Sequence, residues 1–109
     1  MWKMKSIKEY GRLFLEIEKI KGYINIAKKA GYVIIGGEKT TKYTKKMYLL
    51  LYDKTAQKNT LKIVEKVKEK GVKVLSIENL DKIMNIDRCK LIAIKNKNIS
   101  DIIINLINY

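Results

Sequence analysis

The stretch Ile24 to Lys46, INIAKKAGYVIIGGEKTTKYTKK, passes from helical spacing to a strand and back to a helix, and that change decides the fold. Ile24 and Ala27 continue an upstream stripe of Tyr10, Leu13, Ile17 and Ile20. Steps of three and four put these residues on one face of a helix running from about Ser6 to Ala30. Gly22 is expected to divide the run into an N-terminal helical extension, residues 1–20, and a second helix opening a domain of residues 21–109. Gly31 supplies a left-handed stop. Tyr32 to Ile35 reads as a short β-branched strand ending at Gly36-Gly37. Glu38 to Lys46 reads as the next helix, with a carboxylate in its first turn and lysines in its last, as the helix dipole favours.

The same alternation continues to the end of the chain. Met47–Tyr52 is a buried-strand run closed by Asp53. Thr55–Lys70 is amphipathic, with Leu61, Val64 and Val67 inward, and Gly71 ends it. Val72–Ile77 is a strand, Leu80–Ile86 a short helix and Lys90–Ile94 a strand. Ser100, or Asn98 before it, caps a last helix carrying Ile103, Leu106 and Ile107. Strands alternating with helices over short connections predict an α/β fold, a three-layer α/β/α sandwich with a four-stranded mixed sheet and an extra N-terminal helix. Met47–Tyr52 and Lys90–Ile94 are apolar nearly throughout, as strands covered on both faces should be.

The 109 residues suit one domain. Lys and Arg number 24 against 11 Asp and Glu, a net charge of +13 that attracts polyanions. Nucleic acid, an anionic membrane surface and an acidic protein all fit that field. A Lys-, Ile- and Asn-rich composition can itself produce such a charge, so the placement of the lysines carries more than their number. No apolar run is long enough for a membrane span, and no signal-peptide core follows Lys3 and Lys5 before Glu9. One cysteine, Cys89, leaves no internal disulfide. A cytoplasmic protein without a membrane role is expected.

The absence of histidine removes His-based triads and most neutral-pH acid–base designs. A lone thiol does not make a zinc site, and Cys89 reads as a packed small residue. The carboxylates are scattered, Glu65 and Glu69 forming an ordinary solvated pair beside Lys66 and Lys70. No phosphate-loop or dinucleotide glycine pattern is present. The expectation is a non-enzymatic protein with no cofactor, no metal and no catalytic residues.

The informative segment is Gly36 to Lys46. Its glycines allow close backbone approach, and the first-turn N–H groups can donate to phosphate or base edges. Lys39, Lys42 and Lys46, three and four apart, are expected on one face of the helix, with Lys45 beside it. A further basic group, Lys28-Lys29, ends the preceding helix, and Arg88 and Lys90 flank Cys89. Whether the segment after the first strand meets the one before the fourth depends on strand order.

These residues resemble the opening of the ribosomal L-seven-Ae / L-thirty-e superfamily, most closely its small bacterial YlxQ-type members. The matching marks are Ala27-Lys28-Lys29-Ala30-Gly31, a short strand, and Gly36 through Lys42. The resemblance continues through YLLLYDKTAQKNTLKIVEKVKEKGVKVLSI and ENLDKIMNIDRCKLIAI, covering the chain from about Ile20 onward. It implies an α/β/α sandwich that binds kink-turn or related internal-loop RNA. The first RNA-binding site implied is Gly36, Gly37, Glu38, Lys39 and Lys42, and the second is Ile86, Asp87 and Arg88. Glu38-Lys39 stands where strong kink-turn binders carry Asn-Glu or Lys-Gln, and Thr40, Thr41 and Thr44 replace more aliphatic residues. Distorted RNA loops expose the base edges that an A-form groove hides, which is what such a surface can read.

The expected partner is therefore structured RNA, ribosomal RNA or another kink-turn RNA, and through it the ribosome. The alternative is a protein-interaction module of the same fold, with the stripe from Tyr10 to Ile20 as its working surface or as a dimer contact.

Overall fold

A computed structural model describes residues 7–107, and side chains from residue 17 onward. Five helices and four strands alternate: α1 (Ile7–Lys29), β1 (Val33–Ile35), α2 (Gly37–Lys42), β2 (Leu49–Asp53), α3 (Lys58–Glu69), β3 (Lys73–Ile77), α4 (Leu80–Met84), β4 (Leu91–Ile94) and α5 (Lys97–Ile107). The sheet order is β1-β4-β2-β3. β4 runs antiparallel to both β1 and β2, while β2 and β3 are parallel. The sheet is mixed, as expected, and the two nearly continuous apolar strands, β2 and β4, are its central pair.

Each face of the sheet has its own core. On one, Ile20 and Ile24 of α1, Leu80, Ile83 and Met84 of α4 and Ile103 of α5 pack against Leu49, Leu51, Ile92 and Ile94. On the other, Val64 and Val67 of α3 pack against Leu50, Leu91 and Ala93, with Tyr43 and Ile63 at the margin. The alternating side chains of β2 and β4 therefore serve both cores, which gives three layers.

Four local expectations are corrected. Gly22 does not divide the first helix: α1 is continuous over 23 residues, so the boundary expected at residue 20 falls inside one helix. A helical glycine costs only about 1 kcal/mol against alanine, which the burial of Ile20, Ile24 and Ala27 on either side outweighs. Of the stripe, Tyr10 and Leu13 lie outside the residues whose side chains are described, as does the expected helix start at Ser6; Ile17 is 51% exposed. In α3 the inward residues are Ile63, Val64 and Val67, whereas Leu61 is exposed, because the buried arc follows Thr60, Val64 and Val67. At α5 the cap is Asn96, whose Oδ1 accepts the Ile99 N–H at 2.9 Å. Ser100 is fully buried one turn further in.

The fourth correction bears on the site. The helix expected over Glu38–Lys46 stops at Lys42, and Tyr43 turns to extended backbone with φ −76° and ψ 120°. Tyr43 packs, partly exposed, at the margin of the α3-side core. Lys45 and Lys46 thus leave the face that Lys39 and Lys42 share.

Candidate nucleic-acid interface

Strand directions answer what spacing left open. Ile35, the last residue of β1, pairs with Ile92 near the start of β4, and the Gly36 N–H donates to Leu91 O at 2.9 Å. Tyr52 pairs with Leu91, and the Asp53 N–H donates to Lys90 O at 2.9 Å. β3 ends beside β2, Asp53 pairing with Ile77. The segments 36–42, 53–57, 78–80 and 85–90 therefore gather at one end of the sheet. Gly36, Gly37, Glu38, Lys39 and Lys42 share that end with Ile86, Asp87 and Arg88. Lys46 does not: it lies in the segment leading into β2, whose first residues are at the other end of the strands.

The glycine pair has distinct jobs. Gly36 has φ 92° and ψ 156°, a conformation only glycine adopts without strain. Gly37 is helical, and a Cβ on it would stand 2.6 Å from Ile63 Cδ1, the far end of a side chain that would have to turn aside. No side chain caps α2. Two of the three threonines that depart from the aliphatic pattern are tied to the backbone: Thr40 Oγ1 donates to Gly36 O at 2.8 Å, and Thr41 Oγ1 to Gly37 O at 2.8 Å. Thr40 is buried, so the hydroxyl satisfies itself within the first turn rather than opening the core.

Glu38 and Lys42 form an exposed i,i+4 ion pair at 3.0 Å. Such a pair contributes at most about 0.5 kcal/mol, so both groups can be drawn to a ligand at little cost. Lys39, Asp87 and Arg88 are exposed, and Ile86 is half-buried against the α1-side core. Arg88 adopts a left-handed backbone, φ 58°, as does Asn85, φ 54°, so the loop before β4 is tightly curled.

The organising group at this end is Asp53, which sequence reasoning took only as a strand terminator. Its side chain is buried, yet three donors converge on it: Thr55 N–H at 2.8 Å and Thr55 Oγ1 at 2.7 Å on Oδ1, and Leu80 N–H at 2.9 Å on Oδ2. Lys90 Nζ lies 4.0 Å from Oδ1 and donates to Thr55 Oγ1 at 2.8 Å. Burial by itself raises the carboxyl's pKa; the Thr55 hydroxyl, the two N–H groups and the Lys90 charge reverse that and hold it below the ordinary value. One carboxylate thus fastens the β2–α3 loop to the start of α4 and the residue before β4. An acid followed two residues later by Thr at a strand end was the available sequence signal.

Cys89 is buried in the α1-side core as expected. Burial pushes its thiol up, with the Asp81 and Asp53 charges adding and the Leu91 N–H and Lys28 opposing. Lys28 donates to Met84 O at 3.3 Å, so it ties α1 to the end of α4. Among the described residues no three Cys, Asp or Glu side chains are placed to hold a metal, and no helix is long and apolar enough to cross a membrane.

No family model and no curated protein matches the chain. Among solved structures it is similar to a protein of unknown function from Bacillus halodurans, with a TM-score of 0.75 and 20% sequence identity. The match covers 84% of this chain and 98% of that one, and it establishes a shared fold.

Proposed function

We propose that this chain is a cytoplasmic, non-enzymatic RNA-binding protein of the L-seven-Ae / L-thirty-e kind. Its target is structured RNA of the kink-turn or related internal-loop type, ribosomal RNA included. The observation that supports this most is the convergence of residues 36–42 and 85–90 at one sheet end, since neither segment alone is more than a turn with lysines. Uncapped first-turn N–H groups and the exposed Glu38 carboxylate can meet base edges, Lys39, Lys42 and Arg88 the phosphates, and half-buried Ile86 an unstacked base. The test is titration of a kink-turn RNA and a plain duplex of equal length at several salt concentrations. The kink-turn should bind more tightly, and affinity should fall steeply with salt as counterions are released. Equal affinity for both, unaffected by Lys39→Gln with Arg88→Gln, defeats the proposal.

One observation favours the second reading, a protein-interaction module. Ile17 is half-exposed and lines a groove of about 630 Å³ with Ile20, Ile83, Leu106 and Ile107. Since Ile20 belongs to the core, cutting the chain before Lys21 would damage the fold; Ile17→Asp tests the groove without that loss. On this reading Ile17→Asp abolishes partner or self-association while the lysine variants do not.

A further inference from the structure

The two ends of the sheet carry equal numbers of cations, but the end away from the site just described has few of the carboxylates that would balance them. That site end, taken as residues 36–42, 53–58 and 78–90, holds seven Lys or Arg but also five carboxylates: Glu38, Asp53, Glu78, Asp81 and Asp87. The opposite end is formed by 29–32 before β1, 43–48 before β2, 70–73 leading into β3 and 95–98 after β4. These segments hold seven lysines and no carboxylate. Two acids stand at the margin: Glu69 ends α3, and Asp101 accepts from Lys97 at 2.9 Å, neutralising that one cation.

The same end is aromatic. The Lys95 N–H donates to Tyr32 O at 2.8 Å and the Tyr48 N–H to Ile94 O at 3.0 Å, which sets Tyr32, Lys95 and Tyr48 side by side just beyond the ends of β1, β4 and β2. Tyr32 is 38% exposed, and Tyr43 and Tyr48 are partly so. Lys46 Nζ stands 5.1 Å over the Tyr48 ring, and Lys95 Nζ 5.6 Å over Tyr43. Lysines parked on ring faces are electrostatically satisfied there without a carboxylate. Tyr43, Lys45, Lys46 and Lys70 also line a pocket of about 210 Å³, smaller than the roughly 300–1,000 Å³ of a small-molecule site.

We infer that this end is a second binding surface, for single-stranded nucleic acid. Partly exposed aromatic rings interleaved with lysines, on a rim poor in carboxylates, are what sequence-independent strand binding uses: bases stack on the rings and ammonium groups follow the phosphates. A base that takes the face of Tyr48 or Tyr43 releases Lys46 or Lys95 to a phosphate, so each contact exchanges one cation–π pair for a stack and an ion pair. Lys46, expected beside Lys39 and Lys42, belongs to this surface. The inference stands on charge and ring placement here and does not depend on the kink-turn reading.

The test measures binding of a labelled 12-nucleotide single-stranded RNA, with inorganic polyphosphate as a probe that carries charge but no bases. Tyr32→Ala with Tyr48→Ala should weaken the RNA at least about fivefold, the lower end of one lost stack, and leave polyphosphate unchanged. Lys45→Gln, Lys46→Gln and Lys95→Gln together should weaken both ligands and flatten the salt dependence of RNA binding by about 2 in log–log slope. Kink-turn binding should survive the tyrosine changes, and single-strand binding should survive Lys39→Gln with Arg88→Gln. Ultraviolet crosslinking of the unaltered protein to the same RNA guards against misfolded variants, and should label peptides containing Tyr32, Tyr43 or Tyr48. Equal loss of RNA and polyphosphate in the tyrosine variant, or crosslinks confined to residues 36–42 and 85–90, overturns the inference.

Discussion

Replacing Asp53 by Asn removes one charge and changes almost no volume, which makes it a sharp probe of what holds the candidate site together. The carboxylate accepts three hydrogen bonds on two oxygens, from Thr55 N–H, Thr55 Oγ1 and Leu80 N–H. An amide keeps one acceptor and turns an NH2 toward a donor on the other side. If the oxygen stays with Thr55, the Leu80 N–H is left buried and unpaired, at about 1–3 kcal/mol. The bonds that remain lose their charge assistance, and Lys90 loses the opposite charge 4.0 Å away while keeping Thr55 Oγ1. The expected loss is on the order of 3 kcal/mol, or a fall in Tm of roughly 10–20 °C for a domain this size. The acid limit gives a second reading. The folded carboxyl is held below its ordinary value of 3.8, so its contribution is fully present above that pH and is lost as pH falls through the folded value. The difference between wild type and Asp53→Asn in urea unfolding should therefore be largest at neutral pH and shrink below pH ~3.8. A difference under about 1 kcal/mol at neutral pH, or one that stays constant into acid, would refute the role assigned to this group.

Three further substitutions probe single features. Gly22→Ala should raise stability by about 0.5–1 kcal/mol in thermal unfolding, because Gly22 is an exposed interior residue of α1 with no described atom within 4 Å of a new Cβ; destabilisation would mean that the helix bends there. Ser100→Ala should be neutral or stabilising by about 1 kcal/mol in the same assay, since the buried Ser100 hydroxyl has no partner among the described residues. Arg88→Gly should split two readouts. The left-handed backbone at φ 58° favours glycine, so Tm holds or rises, while RNA affinity falls with the lost cation. Parallel loss of both would make Arg88 a structural residue.

The layers and the order of elements were legible because hydrophobic period reports burial directly. β2 and β4 could be read as covered on both faces from their nearly unbroken apolar runs, and the sheet has them as its central pair. Local rules failed where tertiary packing outbid them. Gly22 lies within a helix whose flanking residues are buried, α2 ends at Lys42 with Tyr43 extended at the margin of the α3-side core, and Asn96 rather than Ser100 caps α5. The site was legible in part. Gly36 stands at a junction that needs its positive φ, and Gly37 beside it lies close to the end of the Ile63 side chain. Helical spacing placed Lys46 with Lys39, but a helix six residues long cannot carry it there. Asp53 was missed because its donors come from Thr55 and from Leu80, 27 residues away, a contact that strand pairing creates.

The central claim is that the two segments form one RNA surface, and an amide NMR titration with kink-turn RNA tests it most directly. Signals of Gly36, Gly37, Glu38, Lys39, Lys42, Ile86, Asp87 and Arg88 should shift together, saturating at one equivalent, while a plain duplex leaves them in place. Shifts confined to one of the two segments, or identical shifts with the duplex, would contradict it.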